Sequence, residues 1–230
     1  MKKDRFFIDN VVMGILLVFA IGVGIYFRAT VKDCGLVKVK HVDDIKPGMV
    51  TLEYAIEKDG HFGEDGIQNG INELEQAPMI AIAKATGKLN LTRGSYGQEI
   101  IIEKVIREES DISQGDTAWI YQSFGLEEME GKVLFRNCLN IMRPEIEYLV
   151  FLQASPLNPY QKEQVYTLMN DTFGYVCLDG VETKNLSMYE KVDFVELNEY
   201  EFFAVSEKVT TELNEARKTI LEKYVTIRER

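Results

Sequence analysis

The feature that most constrains this chain is an uninterrupted apolar stretch near the N-terminus, residues 11–27, with the sequence VVMGILLVFAIGVGIYF. None of its 17 side chains is charged. As an α-helix it would extend ~25 Å, slightly less than the ~30 Å hydrocarbon core of a bilayer. Phe7 before the stretch and Arg28 after it are residue types suited to the membrane interface. The sequence therefore predicts one transmembrane helix that carries a folded domain.

A cleaved secretory signal peptide is the main alternative for this stretch, because the preceding MKKDR is basic and the run is short for a span. No A-x-A cleavage pattern follows Phe27, and Val31, Lys32 and Asp33 do not form a lipobox before Cys34. A buried core helix is the third interpretation. The length and the flanking residues favour an uncleaved anchor.

The layout of the chain predicts the orientation of this anchor. Positive charges stand on both sides of the run, so their distribution does not discriminate. A short tail followed by a large C-terminal domain is typical of a signal anchor with its tail in the cytoplasm. We therefore expect a single-pass protein of the cell membrane, with residues 1–10 as the cytoplasmic tail, residues 11–27 in the lipid bilayer, and the rest extracytoplasmic.

The charge of the domain excludes several classes of partner. The chain carries a formal net charge of −11, and the first ten residues contribute three basic and two acidic side chains, which leaves −12 for the remainder. So acidic a domain is a poor binder of nucleic acid and is repelled by anionic lipid head groups. The partners that remain are an envelope protein, a peptide or a glycan, and no nucleic acid is expected.

Cysteine is sparse, with only Cys34, Cys138 and Cys177 in the chain. This number is too small for a disulfide scaffold. If one pair forms in an oxidising compartment, Cys138 with Cys177 is the expected pair, because both fall in the predicted folded core. Three separate thiols are the favoured alternative, since the number is odd.

The pattern of apolar residues predicts a small, mainly β domain with flanking helices, of the α+β class. Residues 28–66 form a juxtamembrane segment that includes a half-buried strand at 50–56, and residues 67–76 repeat apolar side chains at helical spacing up to Pro78. Five strand elements follow, with Gly-containing turns between them: residues 79–85, 98–107, 117–124, 147–153, and a broken element at 164–168 with 172–178. Such short strands predict an antiparallel barrel or sandwich.

The C-terminal segment, residues 181–230, changes to a helical period. An amphipathic helix is predicted over residues 200–223, with its apolar stripe formed by Val205, Val209, Leu213, Ala216, Ile220 and Tyr224. We expect this stripe to cover one face or open end of the barrel. A partner-binding or coiled-coil helix is the alternative, although fewer than four heptads are present.

The order of these elements resembles a group of exported bacterial proteins whose folded part is similar to the netrin-like domain of tissue inhibitors of metalloproteinases. INELEQAPMIAIAKATG, the turn Gln114-Gly115-Asp116 before WIY, and EYLVFL carry the resemblance. It implies an OB-like five-stranded barrel over residues 67–180. The N-terminal cysteine with which those inhibitors chelate the protease zinc has no counterpart, because Cys34 lies in the segment after the anchor. Protease inhibition is therefore not implied.

Catalytic and metal-binding constellations are few. Only His41 and His61 are present, and His41 near Cys34 lies in a predicted loop or stalk rather than a cleft. His61 with Glu64 and Asp65 offers at most a loose acidic loop, so no metal site is predicted. The chain contains no G-x-x-x-x-G-K-[ST], H-E-x-x-H, G-x-S-x-G or S-x-x-K motif. No catalytic residue and no cofactor are expected.

These observations favour a non-enzymatic, membrane-tethered module of the cell envelope that binds a ligand or has a structural role. Trp119, Tyr121 and Phe124 are the candidate binding residues, since aromatic side chains dominate binding hot spots. Alternate residues of that strand must point into the core instead. The alternative is a cell-envelope enzyme with an unrecognised carboxylate site, for which the cluster Glu127, Glu128 and Glu130 is the candidate, although a solvated loop explains that cluster more simply.

Overall fold

The structure is a computed structural model that describes residues 13–14, 16–23, 26, 38–53, 66–92, 95–107, 112–123, 126–129, 132–135, 139–155, 164–181, 183–186, 191–204 and 206–225. The chain divides into two units, Met1–Cys34 and Gly35–Arg230. In the first unit the described residues are helical, and Leu17, Val18 and Phe19 are among its exposed apolar side chains. Within the described ranges, no helix combines the length and the apolar character that crossing a membrane requires.

In its described residues the second unit combines strands with two α-helices. Its described elements, in chain order, are β1 (Val50–Glu53), α1 (Gly66–Leu74), β2 (Met79–Thr92), β3 (Ser95–Arg107), β4 (Thr117–Ser123), β5 (Leu126–Met129), β6 (Lys132–Phe135), β7 (Glu147–Ala154), β8 (Gln164–Leu168), β9 (Tyr175–Cys177), β10 (Thr183–Asn185), β11 (Lys191–Asp193), β12 (Phe202–Ala204) and α2 (Glu207–Val225). Single turns of 3-10 helix lie at Val42–Asp44 and Phe194–Leu197. The α+β class predicted from the sequence is confirmed.

Five strands close into a ring. The large sheet has the order β2-β3-β4-β8-β7-β9, and an additional pairing of β2 with β7 closes the ring and leaves β9 outside it. The apolar side chains of the ring form the core, among them Ile80, Ile100, Ile120 and Leu149. The predicted ring of five strands is confirmed.

The expectation of a wholly antiparallel barrel is wrong at one pairing. β4 and β8 run parallel, whereas the other four pairs of the ring are antiparallel. A closed ring with an odd number of strands cannot alternate direction at every step, so at least one pair must be parallel. The predicted fifth element consists of two separate strands. β8 belongs to the ring and pairs with the C-terminal part of β7, whereas β9 pairs with the N-terminal part of β7 and lies outside the ring.

Strand β2 is longer than predicted, because it continues past residue 85 to Thr92. Its pairing with β3 shifts register between Ala85 and Leu89, and Gly87 lies in this irregular part with φ +85. A side chain at Gly87 would be strained by this backbone angle and would overlap the ring of His41. The glycine therefore allows the strand to bend while the segment around His41 packs against it.

Residues 38–53, which the sequence assigned to the juxtamembrane segment, belong to the folded part of the chain, and the segment around Lys40 contacts the barrel. Val39, Val42 and Ile45 are buried, and the amide of Leu89 donates a hydrogen bond to the Lys40 carbonyl at 2.8 Å. β1 lies in a second sheet of order β11-β1-β6-β5. The folded part of the second unit therefore includes residues that precede the predicted start of the barrel domain.

The acidic cluster of the enzyme hypothesis lies at a hairpin of this second sheet. Glu127 and Glu128 belong to β5, which pairs antiparallel with β6, and Glu128 is opposite Val133. The interpretation of this stretch as a loop is therefore wrong for these two residues, because their backbone is used in strand pairing. Glu130 lies outside the described residues.

The C-terminal helix α2 packs on the barrel. Leu213, Ala216, Ile220 and Tyr224 are buried, and the rings of Phe151 in β7 and Tyr224 are 5.1 Å apart in an edge-to-face arrangement. This contact confirms the expectation that the apolar stripe of the helix covers the barrel.

The helix begins at residue 207 rather than 200, because residues 202–204 pair with β10 as strand β12. Ser206 then caps the helix, since its hydroxyl accepts a hydrogen bond from the Val209 amide at 3.2 Å. Val205, which the sequence placed in the apolar stripe, lies outside the described residues.

Candidate functional site

The outer face of β3 and β4 carries two of the three aromatic residues predicted as binding residues. In β4, Ala118, Ile120 and Gln122 are buried, whereas Trp119 and Tyr121 are half-buried. Because side chains alternate along a strand, the two aromatic residues share the face that points away from the barrel interior. The third predicted residue, Phe124, lies outside the described residues.

Trp119 and Tyr121 lie side by side along β4. Their ring centroids are 6.3 Å apart and the ring planes are inclined by 34°. Residues two apart on a strand are separated by ~6.6 Å, so the rings keep the spacing of the backbone and are not stacked on each other. Each ring can therefore contact a ligand.

Gly97 in β3 provides the surface beneath Tyr121. The two residues are directly opposite in the antiparallel pair, and a Cβ atom at Gly97 would lie 2.7 Å from Cε1 and Cζ of the Tyr121 ring. On the far side of Gly97, Asn90 in β2 donates a hydrogen bond from Nδ2 to the Tyr121 hydroxyl at 2.7 Å. The absent side chain and this hydrogen bond together fix the position of the ring over β3.

The neighbour of Trp119 across the strand pair is Glu99. Its carboxylate forms an ion pair with Lys88 Nζ at 2.8 Å, and the Glu99 side chain is 11% exposed whereas that of Lys88 is 60% exposed. A second pair, Lys84 with Glu103, lies further along the same two strands at 4.0 Å. This face therefore presents two aromatic rings beside paired, mutually neutralised charges.

Around Trp119 and Tyr121 the backbone of this face is paired on both sides within the sheet. β3 pairs with β2 and β4, and β4 pairs with β3 and β8. A ligand cannot add a strand here, because strand addition needs an unpaired edge. Recognition on this face has to come from side chains.

A buried polar network, which was not foreseen from the sequence, joins α2 to β9. Glu201 is buried, and it accepts hydrogen bonds from the Cys177 amide and from Arg217 Nε, the latter at 3.1 Å. Burial raises the pKa of Glu201 to about 7, although the hydrogen bonds from Cys177 and Arg217 act in the opposite direction. A raised pKa often marks a functional group, but this carboxyl is shielded from solvent. The network therefore fixes the helix and does not offer a substrate site.

Cys177 is a buried free thiol in the structure, and burial raises its pKa. Arg143 Nη2 lies 3.8 Å from its sulfur. The predicted partner Cys138 and the third cysteine, Cys34, lie outside the described residues. A buried thiol with a raised pKa is a poor nucleophile, so Cys177 packs as part of the core.

Two buried glutamines line the inside of the ring. Gln98 accepts a hydrogen bond from the Met142 amide at 2.6 Å, whereas its Nε2 and both amide atoms of Gln122 have no hydrogen-bond partner among the described residues. Both side chains point inward from the strands whose outer face carries the aromatic rings. Ordered water is the ordinary partner for such buried groups.

The metal and Cys–His hypotheses receive no support from the part of the chain that the structure describes. No group of three metal-ligating side chains occurs within the described ranges, and His61, Glu64 and Asp65 fall outside them. His41 has a structural role, because its Nδ1 accepts from the Asp43 amide at 3.3 Å while Nε2 lies 3.2 Å from the Thr86 carbonyl. It caps the 3-10 turn that follows it and joins this turn to β2.

In comparisons with protein-family models, with curated proteins and with solved structures, the chain matches none of them. The candidate site therefore rests on the geometry of the Trp119 and Tyr121 face alone.

Proposed function

We propose that this protein is a non-enzymatic binding module of the cell envelope, anchored in the membrane by residues 11–27 with its folded domain outside the cytoplasm. The observation that carries this proposal is the pair Trp119 and Tyr121 on the outer face of β4. Half-buried aromatic rings in a fixed position lose little conformational freedom on binding and contribute large contact areas. Such a face is suited to recognising a ligand without chemical change.

The helical residues of the N-terminal unit support the anchor. Leu17, Val18 and Phe19 are largely exposed, and the apolar stretch to which they belong contains no charged side chain. Burial of apolar surface is favourable by ~25 cal/mol per Å², so a helix with this surface needs a non-aqueous environment. A lipid bilayer supplies it.

The ring of five strands supports an OB-like barrel as the finer description of the domain. Numbered along the chain from β2, its strands follow each other around the ring as one, two, three, five and four. The OB-fold is a five-stranded Greek-key barrel that binds ligands on the face of its second and third strands. These correspond to β3 and β4, the strands beneath Tyr121.

Nothing in the described residues favours the alternative of a cell-envelope enzyme. Glu201 has a pKa raised to about 7, but its side chain is only 2% exposed and is held by Arg217. A carboxyl that acts on a substrate has to reach it, and this one does not.

The single tryptophan of the chain is Trp119, so its fluorescence reports on this face alone. We would titrate the full chain, in phosphatidylcholine nanodiscs with a tryptophan-free scaffold, with envelope extract separated into protein, peptide and glycan fractions, and subtract the emission of Trp119→Phe titrated in the same way. A saturable change of Trp119 emission with one fraction, weakened about tenfold by Tyr121→Ala, is the expected result. No change with any fraction would contradict the proposed function.

A further inference from the structure

We propose that the ligand of the Trp119 and Tyr121 face is a neutral glycan chain, whose sugar rings contact the two aromatic rings. This inference rests on the proposed function, because it names the class of ligand for the same face. It follows from the rigidity of the rings, from the polar groups beside them, and from the charge of the face.

The two rings form a platform rather than a groove. Tyr121 lies over Gly97 and is held by the hydrogen bond from Asn90 Nδ2, so its ring is fixed before any ligand arrives. The Trp119 ring follows at 6.3 Å along the same strand, inclined by 34°. The C–H groups on one side of a pyranose ring form a flat, slightly positive surface that complements the negative face of an aromatic ring. Two adjacent rings suit two successive sugars of a chain.

The polar groups around the platform suit sugar hydroxyls, each of which donates and accepts a hydrogen bond. The Tyr121 hydroxyl accepts a hydrogen bond from Asn90, so its own hydrogen remains available for donation. Glu99 is opposite Trp119, and its partner Lys88 extends into solvent. The Tyr121 hydroxyl is therefore a donor at one ring, and the Lys88 ammonium, paired with Glu99, is a second donor on the same face.

The charge of this face favours a neutral ligand over a charged one. Glu99, the carboxylate beside Trp119, is already paired with Lys88 at 2.8 Å. A cationic ligand would have to break that pair, and an anionic polymer would be repelled by a chain with a net charge of −11. A neutral chain of sugars avoids both costs.

A peptide is the competing ligand, and two features of the face argue against it. Strand addition at the two aromatic residues is excluded because their backbone pairs with β3 on one side and with β8 on the other. Proline-rich peptides dock into grooves between aromatic walls, whereas the Tyr121 ring here lies over Gly97 and fills the space where a side chain of that residue would stand. A proline-rich peptide is therefore the probe that discriminates most sharply.

The test uses the full chain in phosphatidylcholine nanodiscs, since a sugar-headed detergent would compete for the face. Trp119 emission is followed while cellohexaose, chitohexaose, mannohexaose, a decaproline peptide or a heparin hexasaccharide is added. We expect a saturable response to at least one neutral hexasaccharide, about tenfold weaker for its monosaccharide because one ring contact is lost. We also expect Tyr121→Ala to weaken binding about tenfold, and Tyr121→Phe, which keeps the ring, to weaken it less.

Ile101→Ala is the matched control, because Ile101 is an exposed apolar residue of β3 that has no ring. Binding within about twofold of the unchanged protein is expected for it, and a loss equal to that of Tyr121→Ala would overturn ring contact with sugars. A response to decaproline or to the heparin hexasaccharide, without one to any neutral hexasaccharide, would overturn the inference of a neutral glycan and leave the proposed function standing. No response to any of these probes, together with a response to a protein or peptide fraction of the envelope, would also overturn the glycan inference and leave the proposed function standing.

Discussion

Glu201 and Arg217 form an ion pair inside the protein, with Arg217 Nε 3.1 Å from Glu201 Oε2 and side chains only 2% and 14% exposed. Arg217 Nη2 also donates to the Cys177 carbonyl at 2.8 Å. One arginine of α2 thus binds both β9 and the residue that precedes β12. Removing either member of a buried pair leaves the other charge uncompensated, so this contact controls how the helix is held.

The buried carboxyl predicts a pH dependence of stability that Glu201→Gln removes. Burial raises the pKa of Glu201 from 4.5 to about 7, so the folded protein binds this proton more tightly than the unfolded chain. Stability from this group is therefore present below about pH 4.5 and is lost as the pH rises through about 7. The charged or titratable groups that face it are Arg217, Arg143, Cys177 and Tyr148.

We expect the free energy of unfolding of the unchanged protein, minus that of Glu201→Gln, to fall as the pH rises from about 5 to about 8. Urea unfolding at several pH values measures this difference, and the other carboxylates cancel because both proteins contain them. A difference that stays constant with pH would show that the carboxyl titrates in the folded protein as it does in the unfolded chain.

The burial of strand β7 predicts that one substitution in this strand strongly lowers the free energy of unfolding. The four residues from Leu149 to Leu152 are fully buried, which confirms the sequence prediction that both faces of this strand are covered. Phe151→Ala should lower the free energy of unfolding by ~3–5 kcal/mol, because it leaves a cavity beneath α2. It also removes the partner of the Tyr224 ring, which lies 5.1 Å away with its plane at 74°.

Urea unfolding of the full chain measures the cost of Phe151→Ala, with Ile101→Ala as the control at an exposed apolar position. The control should change the free energy of unfolding by less than about 1 kcal/mol. Equal midpoints for the two variants would contradict the burial of Phe151.

The ring of strands could be predicted from the sequence because its signals are local. The apolar runs of β2 and β7 and the alternation in β4 are visible in the chain itself, and the Gly-containing turns separate them. The presence of a parallel pair follows from the odd number of strands once the ring is known to close, whereas its position between β4 and β8 does not. Closure itself depends on the pairing of β2 with β7, which connects residues distant in sequence.

Other parts of the fold and of the site could not be predicted, because their signals are not local. Trp119 and Tyr121 are named from the sequence as candidate binding residues, but the burial of the polar Gln122 on the opposite face of β4 has no signal in the sequence. From the sequence alone Glu201 would be expected in solvent. Its hydrogen-bond partners Cys177 and Arg217 are 24 and 16 residues away in the chain, so its burial depends on the tertiary fold. Short strands such as β10 and β12 are formed by pairing with each other, and their own composition does not predict a strand.

The contact between Gly97 and Tyr121 predicts that Gly97→Ala is destabilising. The added Cβ would lie 2.7 Å from two atoms of the Tyr121 ring, so the ring has to lift and the hydrogen bond from Asn90 is disturbed. Overpacking of this kind costs ~1–3 kcal/mol. In a Tyr121→Ala background most of this cost should vanish, which urea unfolding of the single and double variants measures. Equal costs in both backgrounds would mean that the ring does not cover Gly97.

The proposed anchor predicts which part of the chain is accessible from outside the cell. Protease added to intact cells without a wall should degrade the chain beyond Arg28, because the folded domain is proposed to be extracytoplasmic. A cytoplasmic protein that stays intact in the same sample is the control for unbroken membranes. Complete protection of the domain would rule out this topology.

Helix α2 is predicted to protect the surface of the barrel that it covers. A free helix of this length with many charged residues is only marginally stable in water, so its order depends on the burial of Leu213, Ala216, Ile220 and Tyr224. A chain that ends at Ala204, which keeps β12 and lacks only the helix and the residues around it, should expose Phe151, bind a hydrophobic dye and unfold at lower urea concentration.

Lys218→Ala is the control for this truncation, because it removes an exposed ion pair with Glu222 on the helix surface and leaves the apolar stripe in place. Its dye binding and urea midpoint should stay close to those of the unchanged protein, since exposed ion pairs contribute little to stability. Equal dye binding and equal stability for the truncated and full chains would show that the helix does not protect the barrel, and would favour its role in binding a partner.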